Sequence, residues 1–131
     1  MIALDSNVLA RFYLNDEPAQ ARVAARLLME EDVLISKTVL LELEWVMRGV
    51  AHVSAAGIAK SIAHLLSLPN VHIEDDSNVR LALKAYAKGM DFADALHVHS
   101  ARGATRFATF DRKLARRALP AGSGTRVALA Q

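Results

Sequence analysis

The sequence predicts an α/β fold built around a mainly parallel sheet. Short apolar runs of strand length alternate with longer amphipathic stretches of helix length, the pattern of strand–helix–strand crossovers. Capping residues and glycines fall at the joints between them.

The run 2–5 reads as a short buried strand, and Ser6 is placed to cap a helix ending at Leu14. Asp16, Glu17 and Pro18 open a second helix, where the missing N–H of proline does no harm in the first turn. Ala21, Ala24, Ala25, Leu27 and Leu28 supply its apolar face. A strand is expected at 33–35 and a helix at 38–48, ending near Gly49. Ser54 caps the next helix, which runs to Leu68 and stops at Pro69. A strand at 71–73 and a helix at 77–88, closed by Gly89, follow. Asp91 caps a helix to about Arg102, and Gly103 follows it. The remainder reads as a strand at 106–109, a helix at 111–118, a loop at 120–124 and a last strand at 126–129. No internal repeat occurs, and the 131 residues make one domain, 1–131.

Composition excludes several classes. The chain is 53% hydrophobic and 23% charged, so it can bury a core and is not disordered. It has no cysteine, which removes disulfides, thiolate zinc sites and a cysteine nucleophile. Asp5 interrupts the first apolar run with no cationic segment before it, so no signal peptide is expected. No run approaches the ~20 apolar residues of a membrane span. A soluble, cytoplasmic protein is the expectation. The net charge of +2 is uneven, because residues 102–131 hold seven basic side chains and one acid, Asp111. A basic end beside an acidic body is compatible with a polyanionic partner, although on charge alone a solvated basic helix is the better explanation.

Four acids draw attention by position. Asp5 ends the first strand, Asp111 follows a later one, Asp94 opens a helix and Glu42 lies within one. Ligands collect at the carboxyl ends of parallel strands, so the four are expected at one rim. Glu42 and Asp94 sit among bulky apolar residues, where a carboxylate is costly unless paired or metal-bound. Asp91 and Asp94 share a helix face and repel unless a cation intervenes. Each also has a plainer reading: Asp5, Asp91 and Asp111 as helix caps, and Glu42 as an exposed helix edge, as for Glu44. His97 and His99 read as ordinary helix residues, since neither makes a zinc spacing. His52, His64 and His72 are isolated in the sequence, and Trp45 reads as core or interface.

The stretches Leu4-Asp5-Ser6-Asn7-Val8-Leu9, Leu40-Leu41-Glu42-Leu43-Glu44-Trp45-Val46, Asp91-Phe92-Ala93-Asp94-Ala95-Leu96 and Thr109-Phe110-Asp111-Arg112-Lys113 together resemble the PIN-domain nucleases, most closely the VapC-type toxins of VapBC pairs. The resemblance covers nearly the whole chain, with Ser6 where the family often has threonine. It implies a PIN-like three-layer α/β/α sandwich and a Mg²⁺- or Mn²⁺-dependent endoribonuclease. It also implies tRNA or rRNA as substrate, a homodimer and a VapB-like antitoxin. Asp5, Glu42, Asp94 and Asp111 would be the catalytic, metal-binding acids, with Asp91 as an auxiliary ligand. Ser6, Asn7, Arg112 and Arg116 are the candidate RNA-binding residues. An all-oxygen donor set favours Mg²⁺ or Mn²⁺ over zinc.

Three other readings compete. A haloacid dehalogenase-like phosphatase also opens on a strand ending in aspartate, but needs a second acid where Asn7 stands. A non-catalytic RNA-binding adaptor would not require four intact acids. A receiver domain would carry its acid pair early, not mid-chain at Asp75 and Asp76.

Overall fold

A computed structural model describes all 131 residues. The chain divides into two compact units, residues 1–76 and 77–131.

The first unit is a three-stranded parallel sheet with helical crossovers. Strands β1 (Ile2–Ala3), β2 (Val33–Ile35) and β3 (Val71–Ile73) lie in that order, with Ile2 opposite Val33 and Val33 opposite Val71. Helices α1 (Ser6–Leu14) and α2 (Pro18–Glu30) connect β1 to β2 and pack on each other. Helix α3 (Lys37–Trp45), a single π-helical turn (Val46–Val50) and helix α4 (Ala55–Ser67) connect β2 to β3. Leu9, Val33, Ile35, Leu40, Leu43 and Ile58 are fully buried. Each contributes roughly 1.5–3 kcal/mol by leaving water, which fixes the inward faces of the helices.

In the second unit α5 (Asp76–Ala87), whose first residue belongs to the first unit, leads into α6 (Phe92–Ser100). Tyr86 and Phe92 meet edge to face at 5.2 Å. Strands β4 (Phe107–Thr109) and β5 (Val127–Leu129) pair in parallel, Thr109 opposite Leu129, with the short helix α7 (Arg112–Ala115) between them in the chain. Every strand pair is therefore parallel, and the fold is of the expected α/β class. No helix is long and apolar enough to cross a membrane.

Several boundaries differ from the expected ones. Helix α1 is capped by Asp5, not Ser6: Asp5 Oδ1 accepts the Ser6 N–H at 2.8 Å, and strand β1 stops at Ala3. Ser36 caps α3 through the Val39 N–H at 3.3 Å, so the helix starts before Thr38. The helix expected over 111–118 shrinks to one turn because Arg116 and the following residues leave the helical ladder. Helix α6 ends at Ser100, and Gly89, at φ 99°, closes the turn after α5 in a conformation that suits glycine.

Candidate active site

The acids of the first unit meet where α1 and α3 pack together. Asp5 follows β1 and is exposed, with one carboxylate oxygen used in capping. Ser6 is buried at 1% exposure, and its hydroxyl donates a short hydrogen bond to Glu42 Oε1. The same hydroxyl oxygen lies 3.3 Å from Asp5 Oδ1. Ser6 thus holds the carboxylates of Asp5 and Glu42 side by side, and its hydroxyl faces those acids, not solvent. Asn7 is exposed and lines a separate pocket of about 420 Å³ between α1 and α2, bounded by Val8, Arg11, Val23 and Leu27.

Of the two glutamates of α3, both open to an exposed-edge reading, only Glu42 is exposed. Helical periodicity turns Leu40, Leu43, Glu44 and Met47 inward, and Glu42 outward to solvent. The buried acid is therefore Glu44, which is 4% exposed and accepts from Arg48 Nε at 2.8 Å and Nη2 at 3.3 Å. Trp45 is 57% exposed and is not core. His64 is not isolated either, since its Nδ1 lies 2.7 Å from the Tyr13 hydroxyl, a phenol whose pKa burial raises.

In the second unit Asp91, Asp94 and Asp111 line one pocket of about 240 Å³. Asp91 Oδ2 caps α6 by accepting the Asp94 N–H at 3.0 Å. Asp111 Oδ1 caps α7, accepting from Lys113 N at 2.9 Å and Leu114 N at 3.1 Å. Each cap uses one oxygen and leaves the other available. Asp94 has a raised pKa: desolvation is the main cause, then repulsion from Asp91 and Asp111, with His97 opposing.

Two cations face these acids. Lys113 and Arg117 line the pocket and Arg112 and Arg116 do not, although all four are exposed. Arg117 Nη2 donates to the Lys88 carbonyl at 2.9 Å, which anchors the guanidinium. Both pairs are spaced by four, so spacing alone could not choose between them; Arg117 lies past the end of α7, tied to the Lys88 carbonyl.

The donors suit a hard divalent cation, being carboxylate oxygens whose mutual repulsion such an ion would relieve. No three acidic or histidine side chains stand close enough to enclose one ion.

Strands β1 and β4 each lead, at their carboxyl ends, into a helix capped by an aspartate, and every strand pair is parallel, an α/β arrangement. The PIN domain family matches residues 2–119, across both units, and the chain belongs to that family. PIN domains are generally metal-dependent nucleases. No curated protein and no solved structure gives a match. Family membership sets aside the phosphatase and receiver readings.

Proposed function

We propose that this chain is a Mg²⁺- or Mn²⁺-dependent endoribonuclease, the VapC-like toxin of a type II toxin–antitoxin pair. The observation that carries this reading is the second unit's pocket, in which three carboxylates face two cations in a PIN-family chain. By the family resemblance, Asp5 and Glu42 in the first unit and Asp94 and Asp111 in the second would be the metal-binding acids, and Asp91 would orient Asp94 through its cap. When bound, such an ion lowers the pKa of a water and offsets charge on the phosphate oxygens. Lys113 and Arg117 bind the RNA phosphate at the second unit's acids, exposed Arg112 and Arg116 extend the contact, and exposed Asn7 is a separate candidate RNA contact on the first unit. No side-chain nucleophile is used. Ser6, the hydroxyl beside the first unit's acids, is buried and donates to Glu42 and not to a histidine that could take its proton.

The toxin role implies a cytoplasmic protein, a cognate antitoxin and a homodimer. Exposed Trp45 and Val50 on one helix-and-turn segment support a protein partner there. The direct test is to sequence cellular RNA 5′ ends after brief expression of the chain without a partner. Discrete new ends in tRNA or rRNA, missing when Asp5→Asn is expressed, are the expected result. Identical ends from the parent and Asp5→Asn would remove the nuclease reading.

A further inference from the structure

We infer that Phe110 is a stacking platform for an unpaired base of the RNA, one residue ahead of Asp111. The inference deepens the nuclease reading and rests on it. Phe110 is 88% exposed, the most exposed of the large hydrophobic side chains. A phenylalanine held in water forgoes the stabilisation that burial would give it, and nothing in β4 or α7 requires an aromatic at this position.

The backbone on both sides of Phe110 is tied down. The Thr109 carbonyl accepts the Ala130 N–H at 2.7 Å. Thr109 Oγ1 accepts the Asp111 N–H at 3.0 Å, and Asp111 in turn caps α7. The ring is therefore presented from a fixed point at the carboxyl end of β4, where ligands collect in parallel sheets. A platform whose backbone is already ordered loses little freedom on binding.

The surroundings select the occupant. Arg106, Arg112, Lys113, Arg116 and Arg117 are all exposed, and all lie within seven residues of Phe110 in sequence. An interface with an apolar protein segment would want more apolar surface than Leu129, the other exposed large hydrophobic side chain of this unit, which lies on β5 opposite Thr109. Cations around a lone exposed aromatic instead match a polyanion with π-faces, namely a single-stranded nucleic acid. Stacking accepts any base, so Phe110 confers a preference for unpaired nucleotides near the cut and not for a sequence. In a duplex the bases are stacked on one another and the ring finds no face.

The test is fluorescence anisotropy in EDTA with three labelled probes: a single-stranded oligoadenylate, its abasic counterpart and an RNA duplex of equal length. Phe110→Ala is expected to weaken oligoadenylate binding about tenfold, and Phe110→Trp to restore it. The abasic strand and the duplex should bind parent and variant alike, and the salt dependence should not change, because no phosphate contact is lost. Met29→Ala, an exposed change in the first unit, serves as control. Equal oligoadenylate binding by parent and Phe110→Ala, or an equal loss on the abasic strand, overturns the platform. So does a Phe110→Ala loss that tracks dissociation of a dimer in sedimentation, which would make Phe110 a contact between copies. Metal-dependent cleavage by the parent is measured separately. Its absence alongside base-dependent binding overturns the nuclease reading alone, and cleavage without base-dependent binding overturns the platform alone.

Discussion

At the scale of single residues, three of the acids have a structural duty. Asp5, Asp91 and Asp111 each cap a helix with one oxygen, so the plainer reading of these residues is correct and leaves the other oxygen for chemistry. Asp94 has no capping duty and carries the raised pKa. Its proton is held more tightly in the folded than in the unfolded chain. Stability of the metal-free protein therefore falls as pH rises from 3.8, the ordinary value, through the raised one. Asp94→Asn should remove that slope and raise the neutral-pH melting temperature in EDTA; a lower melting temperature would contradict the repulsive cluster. Asp91→Asn keeps a good cap and removes one like charge, so the Asp94 carboxyl should titrate lower by carbon-detected NMR. An unchanged titration would mean that Asp91 contributes no repulsion. The sequence marked these aspartates well, because strand ends and helix starts are legible from apolar runs and capping residues. It could not rank Glu42 against Glu44: both are flanked by leucine or tryptophan, and only the phase of α3, set by the Ser36 cap, turns one in and one out.

At the scale of elements, the order of strands and helices was readable almost throughout, and the errors sit at ends. Strands of three residues leave little pattern, and the π turn at Val46–Val50 has no sequence signature beyond Gly49. Arg48 lies within the turn, and its pair with Glu44 ties the last turn of α3 to it. Glu44→Gln is thus not a neutral change. It should cost about 1–2 kcal/mol in chemical denaturation, at the lower end for a charged hydrogen bond because Arg48 is half exposed, and leave cleavage intact. A cost near zero would show that the pair is incidental. In α6, His99 is 1% exposed, with Ser123 Oγ 3.4 Å from Nδ1. Burial and then Arg102 lower its pKa. The folded state excludes this proton, so stability is lost as pH falls below 6.5, the ordinary value, through the lowered one. His99→Phe should abolish that acid-side loss in melting curves; an unchanged loss would assign it to other groups.

At the scale of the whole molecule, the family match spans residues 2–119, and the four stretches that carry the resemblance fall in both units. The basic segment from Arg102 onward was legible as charge, but which cations line the acidic pocket was not, since the 112/116 and 113/117 pairs have equal spacing. A cation that binds only the folded chain stabilises it by mass action, by about 2.7 kcal/mol at a hundredfold excess over Kd. Millimolar Mn²⁺ should therefore raise the melting temperature of the parent and not of Asp94→Asn; identical shifts would place the ion elsewhere. The central claim is that these acids cut RNA with a divalent ion. It is tested most directly by the cleavage rate of one RNA under matched Mn²⁺, comparing the parent with Asp5→Asn and Asp94→Asn. The account predicts cleavage by the parent and none by either variant, with both variants folded. Variants that cut as fast as the parent would contradict it.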